Sequence, residues 1–426
     1  MTETICVVGL GYVGLPLAVR FDEVGHEVIG YDVDDRTIET LASGTDTTGD
    51  VGDERVAASD VEFTTDERSI ERADYVLVAV PTPIDDRQDP DLEYVEAAGR
   101  AIGRHIAEGT TVVLESTVFP GATREILAPA IEETSGLEAE EDFLLGYSPE
   151  RLVPGDDEHS VETVVKIVGG QDEEVLEDLA ALYETVVDAG VHRAPEIEVA
   201  EAAKCVENIQ RDLNIALVNE LSITCNALEL DTEAVLAAAG TKWNFHDYRP
   251  GLVGGHCIPV DPFFLIYQSE QNGFDPELVQ TARDVNEFMP KHVGTETVKA
   301  LNEAGKVLSE SRVLVLGLTY KANVADVRTS SIGGTIEKLH EFGVEVVGFD
   351  PHAPTDRAEA ALGIEVQDEL SFAGFDAVVI GAAHDEFRGL DFHQLKSDLN
   401  TRPIVIDTEN AFADTTRDAG LAYWGL

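Results

Sequence analysis

Residues 4–14 read TICVVGLGYVG, an apolar run followed by three glycines with the spacing GxGxxG. The run Ile5–Gly9 predicts a buried β-strand, and the residues from Gly14 onward predict a helix. Glycines at positions 9, 11 and 14 permit a tight turn, a close approach of ligand to backbone, and close packing of helix on strand. The stretch therefore predicts the first strand–turn–helix unit of a parallel α/β sheet, with a dinucleotide pyrophosphate at the helix N-terminus.

An acidic residue completes this pattern. Asp32 ends the next predicted strand, 18 residues after Gly14, where its carboxylate can accept hydrogen bonds from the adenosine ribose. A 2′-phosphate would be repelled there, so NAD is favoured over NADP. Arg36, four residues on, could cover the adenine or could be an ordinary surface arginine. The predicted cofactor residues of this region are Gly9, Gly11, Tyr12, Val13, Gly14, Asp32 and Arg36.

The same kind of pattern recurs near the C-terminus. Residues 25–32, GHEVIGYD, are echoed by residues 343–350, GVEVVGFD. Between the two lies an uninterrupted helical pattern from Ile197 to Leu230, without Pro or Gly. The expected architecture is α/β, with two Rossmann-like domains joined by a helical central domain with a long spine helix. Predicted domains are 1–195, 196–300 and 301–426, and predicted strands of the first are Ile5–Gly9, Glu27–Tyr31, Tyr75–Val80, Thr111–Leu114 and Phe143–Tyr147.

Charge narrows the classes of partner. The 426 residues include 29 basic and 83 acidic ones, a net charge of −54, and the acids are spread along the whole chain. Such a chain repels nucleic acid and anionic membranes, so neither is an expected partner. A surface adapted to high salt explains the spread better than a specific acidic face. No apolar stretch approaches 18 residues and no basic leader precedes the first strand, so we expect a cytoplasmic protein.

Polar residues follow three of the predicted strands. They are Thr82 after the run ending at Val80, Thr117 in Glu115-Ser116-Thr117, and Glu150 in residues 148–151, SPER. Ligands of open α/β sheets bind beyond the carboxyl ends of the strands. Thr82 and Thr117 could therefore contact the cofactor, or could cap a turn or helix, and Glu150 could act on water or on a bound sugar.

Two further segments carry reactive side chains. Lys204 and Asn208 lie one turn apart on the long helix, where an amine and an amide could hold an oxygen on which charge develops. Cys257 follows two adjacent glycines in residues 251–262, GLVGGHCIPVDP, with Asp261 four residues on. The other cysteines, 6, 205 and 225, fit a buried apolar role. The scattered cysteines argue against a disulfide framework and against a structural zinc site, and we expect no metal.

These motifs together resemble the UDP-glucose/GDP-mannose dehydrogenase family, and the likeness runs nearly end to end. It rests on Gly9–Gly14, Glu115–Thr117, Ser148–Arg151, Lys204 through Glu220, Gly254–Asp261, Gly317–Lys321 and Asp326–Arg328. The resemblance implies an NAD-dependent enzyme that oxidises a sugar CH2OH to a carboxylate in two hydride transfers. Cys257 would capture the aldehyde and carry a thioester, which water then hydrolyses.

The resemblance also assigns the other side chains. Lys204 and Asn208 would stabilise the oxyanion, Asp261 would order a water or accept a proton, and Glu150 would assist hydrolysis as base, with Thr117 placing the water. The sugar nucleotide would be bound by Glu150, Arg151, Leu152, Lys204, Asn208, Arg211, Arg249, Gly254 and Lys321. Arg328 would reach toward the cofactor. A homodimer built on the long helices is expected.

The substrate branch follows from residues 240–257, GTKWNFHDYRPGLVGGHC, which are similar to the branch acting on UDP-N-acetylhexosamines. UDP-GlcNAc or an epimer is therefore favoured, with UDP-glucose as the alternative. His256, which stands where many glucose and mannose members have serine, could contact the acetamido group or could pack in the turn. Two other classes share this fold: a two-electron dehydrogenase that needs no cysteine, and a nucleotide-sugar sensor without catalysis. A sensor would have no reason to keep Cys257, Lys204, Asn208 and Asp261 together.

Overall fold

The computed structural model describes residues 2–152 and 160–426. It divides into two compact units. The first comprises Met1–Asn208 with Val260–Asp275, and the second Ile209–Pro259 with Pro276–Leu426. Each unit contains one sheet. The domain boundaries expected near 195 and 300 stay a prediction.

The first unit is built on an eight-stranded sheet in the order β3-β2-β1-β4-β5-β6-β7-β8, parallel except where β6 meets β7. Its strands are β1 (Thr4–Val8), β2 (Glu27–Tyr31), β3 (Glu62–Thr64), β4 (Tyr75–Val78), β5 (Thr111–Leu114), β6 (Leu144–Tyr147), β7 (Lys166–Gly170) and β8 (Val191–Ala194). Its helices up to β8 are α1 (Gly14–Glu23), α2 (Asp35–Ala42), α3 (Asp53–Ala58), α4 (Glu93–Gly103), α5 (Ala128–Ser135) and α6 (Glu173–Tyr183), with a 3₁₀ turn at Glu67–Arg72 and a π turn at Thr123–Leu127.

The central strands are short runs of Val, Ile and Leu, buried on both faces as parallel strands covered by helices must be. All five predicted strands are present, with ends shifted by at most two residues. The prediction omitted β3, β7 and β8. β3 has only three residues, β7 begins with a buried lysine, and β8 carries exposed His192 and Arg193, so none shows an uninterrupted apolar run.

Four helices follow β8: α7 (Ile197–Ala227), α8 (Thr232–Gly240), α9 (Asp261–Gln271) and α10 (Glu277–Glu303). The long helix α7 confirms the predicted spine, although it ends at Ala227 rather than at Leu230. It ends there because Glu229 adopts a positive φ of 57° and the Leu230 N–H turns back to the Cys225 carbonyl. Asp231 then caps α8 by accepting from the Ala234 N–H.

The second unit holds a six-stranded parallel sheet in the order β11-β10-β9-β12-β13-β14. The strands are β9 (Arg312–Leu316), β10 (Glu345–Phe349), β11 (Glu365–Val366), β12 (Ala377–Ile380), β13 (Ile404–Asp407) and β14 (Ala422–Gly425). The helices are α11 (Ile332–Glu341), α12 (Thr355–Leu362), α13 (Phe392–Asp398) and α14 (Ala413–Asp418), with 3₁₀ turns at Leu308–Glu310 and Asp385–Gly389. This sheet confirms the second Rossmann-like domain, and the echoed octapeptides form β2 and β10.

Within residues 2–152 and 160–426, no helix combines the length and the apolar character that a membrane span requires.

Candidate active site

The turn after β1 has the geometry that the three glycines predicted. Gly9 has a φ of 92°, and a Cβ there would lie 2.6 Å from the Ala79 carbonyl oxygen. A Cβ at Gly14 would overlap the Gly9 carbonyl oxygen, whereas a Cβ at Gly11 would meet open space. The turn between β1 and α1 is therefore packed tightly at Gly9 and Gly14 and accessible at Gly11. Backbone N–H groups at such a helix start fit a pyrophosphate.

Asp32 lies at the carboxyl end of β2, beside this turn. Its Oδ2 accepts from the Leu10 N–H at 2.8 Å and its Oδ1 from the Asp34 N–H at 2.9 Å. Each oxygen keeps a second lone pair for a ribose hydroxyl. Tyr12 and Val13 lie on the same turn, and Arg36 lies exposed in the first turn of α2. The residues present therefore fit a dinucleotide whose adenosine ribose carries no 2′-phosphate.

The carboxyl ends of β4 and β5 are tied together. The Ser116 hydroxyl donates to the Val80 carbonyl at 2.6 Å. Thr82 lies two residues after Val80, Thr117 directly follows Ser116, and both are partly exposed. The structure thus places both threonines at the edge of the sheet where ligands of this fold bind.

A buried charge network, which we call the Lys166 cluster (Glu115, Glu150, Lys166 and Tyr183), lies behind this edge. The Lys166 ammonium donates to Glu115 at 2.8 Å and to Glu150 at 2.9 Å, and all three side chains are at most 8% exposed. The Tyr183 hydroxyl donates to the other oxygen of Glu115. Sequence reasoning missed Lys166, although a charged residue opening an apolar β-rich run was the available signal.

Both oxygens of Glu150 are engaged. Oε2 accepts from Lys166, and Oε1 accepts from the N–H groups of Arg151 and Leu152 at 2.7 and 2.9 Å. Burial alone would raise the pKa of Glu150, but the ammonium and the two N–H donors outweigh it and the pKa lies below its ordinary range. Burial raises the pKa of Glu115, in spite of Lys166. Glu150 is therefore ionised, is fixed in position by three hydrogen bonds, and is a weak base.

Arg151 is oriented toward α7. Its guanidinium makes two contacts with the Glu207 carboxylate, at 3.1 and 2.7 Å. Leu152 is half-buried and packs against the core of the first unit. The segment 150–152 is thus fixed at its carboxylate, at its backbone and at its guanidinium.

Lys204, Asn208 and Asp261 come together within the first unit. The Asn208 amide donates to Asp261 Oδ2 at 2.5 Å. Lys204 and Asp261 are both buried, and the Lys204 charge acts on the Asp261 carboxyl. Burial raises the pKa of Asp261 to about 6, although Lys204 and Asn208 both lower it. A carboxyl with this pKa exchanges its proton near neutral pH, as a general base must.

Cys257 differs from the other three cysteines. Cys6, Cys205 and Cys225 are buried, whereas Cys257 is exposed. Burial raises the pKa of Cys6 to about 12 and also raises that of Cys205, which disfavours their thiolates. The apolar roles predicted for these three are confirmed, and Cys257 is the thiol that a substrate can reach.

Cys257 and the three residues before it form what we call the 254–257 turn (Gly254–Cys257). It rests on the β9–α11 loop, residues 317–331. The Gly255 N–H donates to the Thr329 carbonyl at 3.2 Å. Gly255 has a φ of 93°, and a Cβ there would lie 3.0 Å from the Tyr320 ring. His256 contacts Asp326 at 3.2 Å. Glycine is thus required where the turn meets the loop.

A cavity of about 260 Å³ adjoins the same loop in the second unit. It is lined by Gly251, Leu252, Thr319, Tyr320, Lys321, Ala322, Ser330, Ser331, Ile332, Gly381 and Glu409. Lys321, predicted to bind the sugar nucleotide, is among them. The cavity lies beyond the carboxyl ends of a parallel sheet, which is where a nucleotide is expected.

Three predicted arginines lie in the second unit but do not line this cavity. Arg211 is exposed on α7. Arg249 pairs with Asp247 and, at 3.4 Å, with Glu233. Arg328 is held by Asp326 through two contacts of 3.0 and 2.7 Å. Their predicted roles in binding the sugar nucleotide and the cofactor stay predictions.

One group among the described residues has the spacing of metal ligands, namely His352, His384 and Glu386. His384 already accepts from the Asn323 N–H through Nδ1 and contacts Asp350 through Nε2. Because both ring nitrogens are engaged, we assign no metal to this group.

Comparison with known proteins finds matches along nearly the whole chain. Three models of the UDP-glucose/GDP-mannose dehydrogenase family match: the NAD binding domain at residues 3–187, the central domain at 198–288, and the UDP binding domain at 314–414. The chain belongs to this family, and it is an NAD-dependent oxidoreductase.

Individual relatives and solved structures match the chain along nearly its whole length. Protein CapL of Staphylococcus aureus is 44% identical over 100% of both chains, and a UDP-N-acetyl-D-glucosamine 6-dehydrogenase of Pseudomonas aeruginosa is 42% identical over 98% of this chain and 99% of that protein. Among solved structures, a UDP-D-ManNAc dehydrogenase from Pyrococcus horikoshii superposes with a TM-score of 0.90 at 30% identity, covering 99% of this chain and 98% of that one. The predicted family, fold class and cofactor are confirmed.

Proposed function

We propose that this protein oxidises the C6 hydroxymethyl group of a UDP-N-acetylhexosamine to a carboxylate, using two NAD and a cysteine thioester. The observation that carries the proposal is the exposure of Cys257 in a glycine turn beside a cavity lined by Lys321 and two serines, while the other three thiols are buried. A buried thiol cannot reach a sugar. An exposed thiol on a turn that only glycine can form is expected where a side chain attacks a ligand.

Two hydride transfers and one covalent adduct take the sugar C6 from alcohol to carboxylate. NAD held by the Gly9–Gly14 turn and Asp32 would supply the hydride acceptor for each oxidation. In the first, the hydroxyl proton leaves to a base and an aldehyde forms. The thiol of Cys257 adds across the aldehyde C=O, and its proton passes to the oxygen or to a base. Loss of a second hydride and a proton leaves a thioester. Water then cleaves the C–S bond, so the carboxylate is released and the thiol is restored.

Asp261 suits the role of base in this sequence. Its pKa of about 6 leaves it ionised at neutral pH yet able to take a proton. Lys204 and Asn208, which act on the same carboxyl, supply a positive charge and an N–H donor. These groups would stabilise an alkoxide or tetrahedral oxyanion that develops next to them.

Glu150 was predicted to act as base in hydrolysis, with Thr117 placing the water. Its low pKa and its three donors make proton transfer to Glu150 costly, since a bond to Lys166 or to the 151–152 backbone must first be lost. We retain Glu150 as a residue that orders the water and the sugar. Proton acceptance then falls to Asp261.

The cavity supports a place for the nucleotide. Lys321 in its wall would pair with a phosphate, and the hydroxyls of Ser330 and Ser331 offer further donors. Gly254 and Arg249 would lie along the sugar, and Arg151, Leu152 and Arg211 would complete its binding. The match of residues 314–414 to a UDP binding domain supports uridine as the base.

The choice of sugar rests on relatives. The P. aeruginosa protein is named for UDP-N-acetyl-D-glucosamine and the P. horikoshii protein for the mannosamine epimer. A UDP-glucose dehydrogenase from Pyrobaculum islandicum also superposes, with a TM-score of 0.87 at 29% identity, covering 100% of this chain and 98% of that one, so UDP-glucose is the alternative. We further propose that the product is a glycan precursor, and that the enzyme acts in the cytoplasm as a homodimer adapted to high salt.

The thioester is tested with Cys257→Ser. We expect this variant to bind UDP-sugar but to stall after the first oxidation, whereas the wild type forms about two NADH per sugar, one for each oxidation. Cys225→Ala, which removes a buried thiol, is the matched control and should keep the wild-type ratio. Wild-type turnover by Cys257→Ser would reject the thioester.

The substrate is tested separately, by NADH formation in molar salt from UDP-glucose, UDP-GlcNAc, UDP-GalNAc, UDP-ManNAc and GDP-mannose. We expect the fastest reaction with one of the three N-acetylhexosamines. Reaction with UDP-glucose alone would overturn the branch assignment and leave the thioester intact.

A further inference from the structure

The 254–257 turn is attached to the β9–α11 loop at three points. The Gly255 N–H donates to the Thr329 carbonyl, the Tyr320 side chain lies against Gly254 and Gly255, and His256 contacts Asp326. The three contacts involve three consecutive residues of the turn and three separate parts of the loop. The residue immediately before Cys257 is therefore fixed by the loop.

Asp326 is the hub of the charged contact. Its carboxylate accepts from the Arg328 N–H at 3.0 Å and from the Arg328 guanidinium, and it faces His256 Nε2 at 3.2 Å. Its side chain is only 14% exposed, although that of His256 is 52% exposed. The Arg328 guanidinium, first among several donors, holds the pKa of Asp326 far below its usual range. Asp326 therefore stays ionised at neutral and mildly acidic pH.

Residues just before the turn and residues of the loop line the same cavity. Gly251 and Leu252, just before the turn, contribute one part, and Thr319–Ala322 and Ser330–Ile332 of the loop and its helix contribute another. A nucleotide in this cavity would contact both. Since the turn and the loop are also joined at His256 and Asp326, ligand binding at the wall restrains the residue next to the thiol.

We propose that Asp326 is a positioning residue for Cys257: through His256 it joins the 254–257 turn to the β9–α11 loop, so that occupation of the nucleotide cavity fixes the thiol in place. This proposal rests on the proposed function for the role of the thiol. It assigns His256 a contact within the protein, in place of the acetamido contact. The nucleotide portion of the substrate then contributes to kcat as well as to binding, since a nucleophile displaced by about 1 Å can cost on the order of a hundredfold in rate.

Hydrogen–deuterium exchange tests the coupling without catalysis. In the wild type, saturating UDP should slow exchange in peptides covering residues 251–257, including the Gly255 amide that bonds to Thr329. In Asp326→Asn and in His256→Ala, UDP should still slow exchange in the loop, while the effect on residues 254–257 is lost. Glu345→Gln is the control, because it removes a carboxylate that pairs with Arg312 at the amino end of β9 and should behave as the wild type.

Kinetics distinguish positioning from simple structural support. Asp326→Asn should lower kcat by about tenfold to a hundredfold, with UDP affinity by calorimetry close to that of the wild type. If the two variants match Glu345→Gln in exchange and in kcat, the proposal is wrong. Loss of UDP binding in Asp326→Asn with His256→Ala unaffected would also overturn it, because Asp326 would then serve the cavity alone. His256→Ala decides if Asp326→Asn does not fold. Failure of the wild type to bind UDP would overturn both this proposal and the proposed function.

Discussion

The turn after β1 and the turn after β9 begin alike. Gly9 and Gly317 have φ values of 92° and 78°, and each lies too close to a carbonyl of the neighbouring strand to accept a Cβ. At the end of the next strand, Asp32 accepts from the Leu10 N–H at 2.8 Å and Asp350 from the Leu318 N–H at 2.7 Å. Both halves thus close the first crossover with the same glycine and the same aspartate.

The two turns then diverge. Gly14 starts α1 five residues after Gly9, whereas Ala322 stands five residues after Gly317 and α11 begins only at Ile332. In the second half His384, fully buried, covers Asp350 at 3.0 Å. A carboxylate covered in this way cannot receive a ribose. The comparison teaches that the repeated backbone provides two possible nucleotide sites, and that a few residues after the strand decide which ligand each one takes.

The largest effect that we predict concerns the strand ends beside these turns. β5 leads into buried Glu115, which accepts a hydrogen bond from the Lys166 ammonium. β13 ends in buried Asp407, which accepts a hydrogen bond from the Phe412 N–H at 2.8 Å. Lys166→Met leaves Glu115 and Glu150 without their cation. We expect a loss of about 3–5 kcal/mol in the free energy of unfolding, because breaking a buried pair strands a charge. Urea denaturation measures it.

The control is Lys299→Met, which breaks an exposed pair with Glu296 and should cost less than about 1 kcal/mol. Equal losses in the two variants would show that the Lys166 cluster is energetically unimportant.

The Lys166 cluster also shows where prediction from sequence ended. The glycine turn and the echoed strands were predictable because their signals lie within about thirty residues, the length of one strand–helix–strand unit. The partners of Lys166 lie 51 and 16 residues away in sequence, and the cover on Asp350 comes from 34 residues further on. Such contacts depend on the order of strands in the sheet, which no local pattern specifies. At Asp261 the neighbours Lys204 and Asn208 were predicted together with it. The contact of His256 with Asp326, beside Cys257, was not predicted.

The second prediction tests the difference between the two turns with a substitution in the first one. Gly14→Ala gives the first turn the residue that the second already has at Ala322. Its Cβ would overlap the Gly9 carbonyl oxygen, a backbone atom that cannot move aside. We expect a loss of about 2–4 kcal/mol of stability together with loss of NAD binding. Thermal unfolding and NADH fluorescence titration report the two effects.

Gly11→Ala is the matched variant, because its Cβ meets no protein atom within 4 Å. Its melting temperature should equal that of the wild type, while NAD affinity falls because the methyl group occupies the space of the pyrophosphate. A lower melting temperature for Gly11→Ala than for Gly14→Ala would contradict the geometry of the turn.

The third prediction extends the comparison to two buried aspartates. Burial would raise the pKa of Asp350, but His384 and backbone N–H groups lower it below the ordinary value, whereas burial raises that of Asp261 to about 6. Asp350 is therefore charged at neutral pH, whereas Asp261 titrates near pH 6. If Asp261 is the base, kcat should fall about tenfold per pH unit below 6, since only the carboxylate accepts a proton.

The Asp261 carboxyl affects stability and kcat in opposite directions as the pH changes. The raised pKa of Asp261 means that the folded state holds the proton more tightly than the unfolded chain, so the contribution of Asp261 to stability is lost as the pH rises through about 6. A fall in rate between pH 7 and pH 5 therefore does not reflect unfolding caused by this carboxyl. Rate profiles of the wild type and Asp261→Asn, with melting temperatures over the same pH range, separate the two effects. A wild-type acid limb in Asp261→Asn would remove Asp261 from the mechanism.

The smallest effect concerns the residue four positions after each aspartate. Arg36 follows Asp32 in the first half, and Pro354 follows Asp350 in the second. If Arg36 covers the adenine, Arg36→Ala should weaken NAD binding about threefold, as expected for a cation over a ring at an exposed site, without changing the melting temperature. Arg357→Ala, an exposed arginine on α12, should leave NAD affinity unchanged. Unchanged affinity in Arg36→Ala would mean that Arg36 is a surface residue, and the glycine turn and Asp32 would then account for the difference between the halves by themselves.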